Sequence, residues 1–158
     1  MLVYLCGAIE YSPDHGKAWR AEITQFLLEQ GHEVYDPALD EKKNLTDEEV
    51  RDFRIWKTAD LPRFRATIRK IIDWDLEWVG RKCDCIVAYW DEYSGRGAGT
   101  QGELTLAYSR GIPVYLVTAL PVAQVSGWIL GCATEVFTSF DQLRTHLRVE
   151  QTLAAGRH

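Results

Sequence analysis

The stretch CIVAYWDEYSGRGAGTQGELTLAYSRGIPVYLV, residues 85–117, decides the fold. Residues 85–90 form an apolar, β-branched and aromatic run, the composition of a buried strand. A loop with glycines at 95, 97, 99 and 102 follows, then a helix over 103–110 that Gly111 ends as a C-cap. Residues 113–117 read as the next strand. Strand, loop, helix and strand in roughly 30 residues make a βαβ unit, and such units build parallel sheets.

The rest of the chain repeats this alternation. Residues 2–6 are a short apolar strand ending at Gly7. Residues 17–30 place Trp19, Ile23, Phe26 and Leu27 at helical spacing and stop at Gly31. A brief second strand spans 33–35 and closes at Asp36-Pro37. A charged stretch, 40–64, carries a helix start at Thr46, followed by Asp47, Glu48 and Glu49. Pro62 separates it from a helix over 64–79 with Ile68, Ile71, Ile72 and Leu76 on one face. A weak fifth strand covers 135–138. Ser139, with Gln142 three residues on, begins the last helix as a capping box. The expected fold is α/β: a flavodoxin-like, doubly wound, five-stranded parallel sheet with helices on both faces. One domain covers 1–149, and the tail over 150–158 is expected to fray.

Composition narrows the function. A net charge of −5 argues against polymeric DNA or RNA as a partner and leaves small substrates open. No run reaches transmembrane length and no signal peptide is read at the start, so a cytoplasmic protein away from membranes is expected. Cys83 and Cys85 are too close in sequence for a zinc knuckle, and Cys6 and Cys132 stand in apolar surroundings. Buried, reduced thiols, no metal and no cofactor are the expectation. Six Trp and seven Tyr exceed the needs of so small a core, and some are expected to line a site.

In open α/β sheets ligands bind beyond the carboxyl ends of the strands. That rule selects Gly7, Ile9 and Glu10 after the first strand, Asp36 after the second, and Gly97 and Gly99 after the third. Glycines there let backbone approach a ligand closely. Glu103 sits where the helix is expected to begin, and the helix dipole would favour its ionised form. Position alone supports a dipole-complementing carboxylate as well as a nucleophile. Retaining glycosidic chemistry needs two carboxyl groups, about 5 Å apart, one to attack and one to manage the leaving-group proton. Asp75 can pair with Glu103 in that way, although a solvated helix face explains Asp75 alone more simply. Tyr4 reads as a core tyrosine whose hydroxyl needs a partner. The basic run Arg63, Arg65, Arg69 and Lys70 reads as a face answering the acidic stretch before it, or as a lid. Asp91, His15 and His32 read as turn or solvated residues.

With those residues in place, the chain resembles the nucleoside 2-deoxyribosyltransferase family, including the related 2′-deoxynucleoside 5′-phosphate N-hydrolases. The resemblance lies in VYLCGAIE (3–10), DLEWVGRKCDCIVA (75–88), GAGTQGELTLAYSRGIPVYLV (97–117) and SGWILG (126–131), in that order. It omits residues 38–65, a helical insertion peculiar to this chain. The resemblance implies Glu103 as nucleophile through a covalent sugar ester, Asp75 as the proton donor, and Tyr4 as the group holding Glu103. It implies that Ser126 serves a neighbouring subunit's site near the sugar 5′ end, so a homodimer or larger homo-oligomer with shared sites is expected. Transferases of the family carry Asp, and the phosphate hydrolases Ser, where this chain has Gly97. Their phosphate-binding Ser and Arg are Ala8 and Glu10 here. An uncharged nucleoside is therefore the expected substrate, and a nucleoside monophosphate the alternative. A non-catalytic nucleotide sensor is the rival reading from another class. The tryptophans Trp74, Trp78, Trp90 and Trp128 are expected to exclude water and stack the base.

Overall fold

A computed structural model describes residues 1–155. Five strands, β1 (Leu2–Gly7), β2 (Glu33–Tyr35), β3 (Cys85–Trp90), β4 (Val114–Thr118) and β5 (Glu135–Phe137), form one sheet. All pairings are parallel and the order is β2-β1-β3-β4-β5. This is the flavodoxin-like arrangement. Its switch point lies where the chain turns from building outward past β1 to building past β3, so ligands are expected above those two strands. Tyr4 pairs in register with Ile86, and Ile86 with Val114.

The helices are α1 (Lys17–Glu29), α2 (Asp47–Ala59), α3 (Leu61–Glu77), α4 (Gly99–Arg110), α5 (Gly127–Cys132) and α6 (Phe140–Ala155). The sheet's two faces divide the core. Val3, Leu5, Val87 and Val117 pack against Ile23, Phe26 and Leu27 of α1 and Leu143 and Leu147 of α6. Tyr4, Cys6, Ile86, Ala88 and Leu116 face the other way, onto Leu104 and Ala107 of α4 and Ile129 of α5. Strand side chains alternate sides, so Tyr4 and Cys6 necessarily share the α4 face. The four cysteines are buried and free of disulfides.

Three boundaries differ from the expectation. Helix α3 begins at Leu61, and Pro62 lies inside its first turn, where its missing N–H costs nothing. Asp60 closes α2 and caps α3 by accepting from the Arg63 N–H at 3.1 Å, so the two helices form a hairpin without a linker. Helix α4 begins at Gly99, four residues before Glu103, because backbone hydrogen bonds carry the glycine loop directly into the helix. At the other end, α6 continues through the expected frayed segment to Ala155, with Glu150 accepting from the Tyr115 hydroxyl at 3.1 Å. Residues 156–158 of that tail lie outside the described residues.

The α2–α3 hairpin is tied by the charges read as an answering face. Arg63 pairs with Glu48 at 2.8 Å and Lys70 with Glu49 at 2.6 Å, while Phe53 and Phe64 stack with centroids 6.3 Å apart. The Thr46–Glu49 capping box starts α2 as expected. Between α3 and β3, residues Trp78–Lys82 make a π turn, closed by the Cys83 N–H on the Trp78 carbonyl. Such turns re-aim a helix end, here the one that carries Asp75. Among the described residues no helix is long and apolar enough to cross a membrane.

Candidate active site

Glycine at position 7 lets β1 end against α1. A Cβ there would lie 2.9 Å from the Trp19 ring and 3.1 Å from the Tyr89 carbonyl oxygen. The carbonyl belongs to the neighbouring strand and cannot move aside. Gly7→Ala is therefore expected to cost about 1–3 kcal/mol, read from urea unfolding midpoints, because it overpacks a rigid site.

Beyond Gly7 the chain loops out and returns to α1 through Gly16. Arg20, 1% exposed, holds this loop from beneath. Its guanidinium donates to the carbonyls of Gly7 (2.9 Å) and Gly16 (3.1 Å), and its Nε lies 3.2 Å from Asp36. This loop, the α4 N-terminal turn and the α2–α3 hairpin enclose a cavity of about 860 Å³ above β1 and β3. Gly7, Ile9, Glu10, Gly97, Gly99, Asp75 and Glu103 all line it.

Glu103 projects from α4 onto the β1 face. The Tyr4 hydroxyl donates to its Oε1 at 2.8 Å, and the Cys6 thiol to its Oε2 at 2.9 Å. Burial pushes the tyrosine and cysteine ionisations well up, and the glutamate's charge pushes them further, so both groups remain protonated donors. The glutamate itself is pushed up to about 7. Burial is the main cause and the Asp75 charge the next; the hydrogen bonds from Cys6 and Tyr4 oppose them. The helix dipole does not hold this carboxyl ionised, contrary to the expectation from its place near the helix start. Glu103 stands one full turn inside α4, beyond the dipole's effective range, and its surroundings favour the neutral form. At pH 7 the carboxyl is poised between its two states.

Asp75 lies on α3 across the cavity. It is the opposite of the solvated helix position that its sequence neighbours allowed. Both its oxygens accept from the Lys43 ammonium, at 2.8 and 2.9 Å, and the two side chains are only 15% and 11% exposed. Burial raises the Asp75 ionisation, and Lys43 pulls it back. Lys43 comes from the loop after β2, within the insertion. Asp40 of that loop accepts from the Lys43 backbone N–H, from the Tyr35 hydroxyl at 2.7 Å and from Trp74 Nε1 at 2.8 Å. Tyr35 in turn stacks on Trp78 at 3.7 Å and on Tyr4 at 5.6 Å. One connected network of rings and polar groups therefore holds both carboxyls.

Other expected site residues lie elsewhere. Asp36 is outside the cavity lining, its carboxylate taken by Arg20. Ser126 is exposed at the start of α5 and does not line the cavity of a single chain. The tryptophans are not cavity residues either. Trp74 and Trp78 belong to the supporting network, Trp90 to the core, and Trp128 is 68% exposed. The aromatic lining consists of Tyr11, Phe53, Phe64 and Tyr93. Asp91 caps its own turn, accepting from the N–H groups of Tyr93 and Ser94.

Two working residues escaped the sequence reading. Cys6 was legible, since it stands two positions from Tyr4 on a strand and must face the same way. Lys43 was not, because nothing in a charged loop indicates which acid it will meet.

The site thus has a β1 tyrosine gripping a carboxyl on the helix after β3, with a second acid lining the same cavity. A family model for nucleoside 2-deoxyribosyltransferases matches residues 3–144. The chain belongs to the nucleoside 2-deoxyribosyltransferase family. Solved structures share the fold at low identity. A 2-deoxyribosyltransferase from Bacillus psychrosaccharolyticus superposes with a TM-score of 0.59 at 17% identity, covering 91% of this chain and 90% of its own. The CMP N-glycosidase of Clostridium botulinum gives 0.54 at 14% identity over 95% and 99%. A 2-deoxyribosyltransferase from Leishmania mexicana gives 0.53 at 18% over 89% and 92%. No curated protein matches the sequence significantly. Membership of this family points to an enzyme of the nucleoside 2-deoxyribosyltransferase class.

Proposed function

We propose that this enzyme cleaves the N-glycosidic bond of a deoxynucleoside by double displacement, with Glu103 as nucleophile, and passes the 2-deoxyribosyl group to another nucleobase. The observation that carries the reading is the doubly held Glu103 carboxyl facing a cavity shared with Asp75. Tyr4 and Cys6 fix both its oxygens, which aims a lone pair at one point in the cavity and removes the entropy of finding it. Asp75 manages the proton of the departing base. Gly7, Ile9, Glu10, Gly97 and Gly99 form the cavity floor against which the sugar lies. Ser126 is assigned to the neighbouring copy's site in a homodimer or larger assembly; exposed Trp128 and Tyr108, 68% and 65% accessible, support a contact there.

A second reading, a nucleoside 5′-monophosphate N-glycosidase, is favoured by two observations. Glu10, whose charge argues against phosphate, is paired with Lys57 at 2.9 Å. Arg54 of α2 also lines the cavity, so the insertion adds positive charge that the β1 loop lacks. Incubation with deoxynucleosides and their monophosphates, with and without an acceptor base, separates the readings. A new nucleoside marks transfer, and free sugar or sugar phosphate marks hydrolysis. Tight binding without cleavage of any of them identifies a nucleotide sensor and refutes the enzymatic reading.

Tyr4→Phe tests how Glu103 is held. Loss of the hydroxyl removes one donor to the ionised carboxylate, so the Glu103 ionisation rises further. The acid limb of kcat/KM is expected to move to higher pH and kcat to fall roughly 10–100-fold. An unmoved limb in the pH–rate profile would assign Tyr4 to packing alone.

A further inference from the structure

The Lys43–Asp75 pair has a property that neither residue has alone. A carboxylate gripped through both oxygens by an ammonium is ionised and lacks a proton to give. The pair as a unit nevertheless holds one transferable proton, on Lys43 Nζ, within hydrogen-bond reach of both Asp75 oxygens. Lys43 itself lines that cavity, and so does Glu103. The charged and titratable groups around the pair are Asp40 of the same loop, Tyr35 of β2, Tyr4 of β1 and Glu103 of α4. Lys43 thus acts on three carboxylates, those of Asp40, Asp75 and Glu103, and the loop that presents it takes an unusual backbone conformation. Lys43 and Asn44 both take positive φ, 34° and 64°, which non-glycine residues adopt at a cost.

We propose that Lys43 is the proton reservoir of the reaction, acting through Asp75, and that formation of the sugar–Glu103 ester is what releases its proton. This rests on Glu103 being the nucleophile. In the first step a lone pair of the Glu103 carboxylate forms the C1′–O bond, and the C1′–N bond breaks towards the base. The base takes a proton from Asp75 as Asp75 takes one from Lys43, leaving Lys43 as a neutral amine and Asp75 ionised. The coupling is electrostatic. Lys43 lies close enough to Glu103 to favour its ionised form, so the two charges attract. Esterification removes the Glu103 charge at the moment the leaving base needs the proton. In the second step water or an acceptor base attacks C1′, the ester C1′–O pair returns to Glu103, and the attacker's proton passes through Asp75 back to Lys43. Net charge on the three groups and bound sugar is unchanged at each stage.

Lysine suits this task and arginine does not, because a guanidinium keeps its proton under all protein conditions. The test compares wild type, Lys43→Met and Lys43→Arg on two substrate sets. One contains neutral deoxynucleosides and their 5′-monophosphates; the other contains the matching N7-methylpurine compounds, whose cationic base leaves without protonation. Both variants are expected to lose roughly 10²–10⁴-fold in kcat on the neutral set and only a few-fold on the N7-methyl set. Thermal unfolding monitors that both variants fold. Near wild-type turnover by Lys43→Arg on neutral substrates overturns the proposal, since an unyielding cation would then suffice. Parallel losses on both sets, or none on either, overturn it equally. Wild type inert on every compound removes the glycosidic reading itself, an outcome distinct from any pattern among the variants.

Discussion

Glu103→Gln is expected to lose at least ~10⁴-fold in turnover while becoming more stable than wild type at pH 8. The activity loss follows from replacing the attacking carboxylate with an amide that cannot form the ester. The stability gain follows from the raised ionisation. In the unfolded chain the carboxyl titrates near its ordinary 4.5, and in the folded protein at about 7. The folded state therefore binds the proton more tightly. Its stabilising effect is complete below about pH 4.5 and is lost as pH rises through 7. Above that range the folded protein carries a buried charge, a handicap of about 3 kcal/mol. Glutamine has the shape of the neutral acid and its amide oxygen still accepts from Tyr4, so the variant avoids that cost. Urea unfolding of both proteins should diverge by this amount at pH 8 and converge near pH 4.5. The same ionisation places the acid limb of wild-type kcat/KM close to pH 7, well above an ordinary glutamate's. Equal stabilities across this range, or an acid limb near 4.5, would show that the carboxyl is not held as the geometry implies.

What could be read from sequence follows from how local each cause is. The five strands, their parallel sense and the caps at Thr46 and Gly111 are short-range patterns and were legible. So was the meeting of Tyr4 and Glu103, through the family resemblance. The start of α4 was not, because glycines at 99 and 102 argue against a helix that the packing of Thr100, Leu104 and Ala107 imposes. That shift of one turn reversed the electrostatic argument about Glu103, from a favoured anion to a disfavoured one. The tryptophans misled for a related reason. Their number signals a site, but their roles are indirect: Trp74 holds Asp40 and Trp78 stacks on Tyr35, one layer behind the cavity. Asp36 looked available because the second strand ends there. Its partner, Arg20, comes from α1, and no short-range pattern connects them.

Arg20 carries the other large effect. Arg20→Met is expected to destabilise the fold by about 3–5 kcal/mol and to abolish nucleoside binding. Methionine fills much of the volume, so the loss is of charge and donors and not of packing. It leaves Asp36 as a nearly buried anion, its side chain 9% exposed, without its cation. It also strips the donors from the carbonyls of Gly7 and Gly16, the two ends of the loop that floors the cavity. Adding Asp36→Asn removes the orphaned charge while keeping a side-chain acceptor for the Ala38 N–H. The double variant should therefore be no less stable than Arg20→Met alone, a clear failure of additivity. Binding should stay lost, because neither change restores the donors that hold the loop. Isothermal titration with a deoxynucleoside, beside urea unfolding of the four proteins of the cycle, separates the two roles. A single variant within ~1 kcal/mol of wild type would mean that the loop is held by its own turns, and the buried guanidinium would lose its place as the organiser of the site.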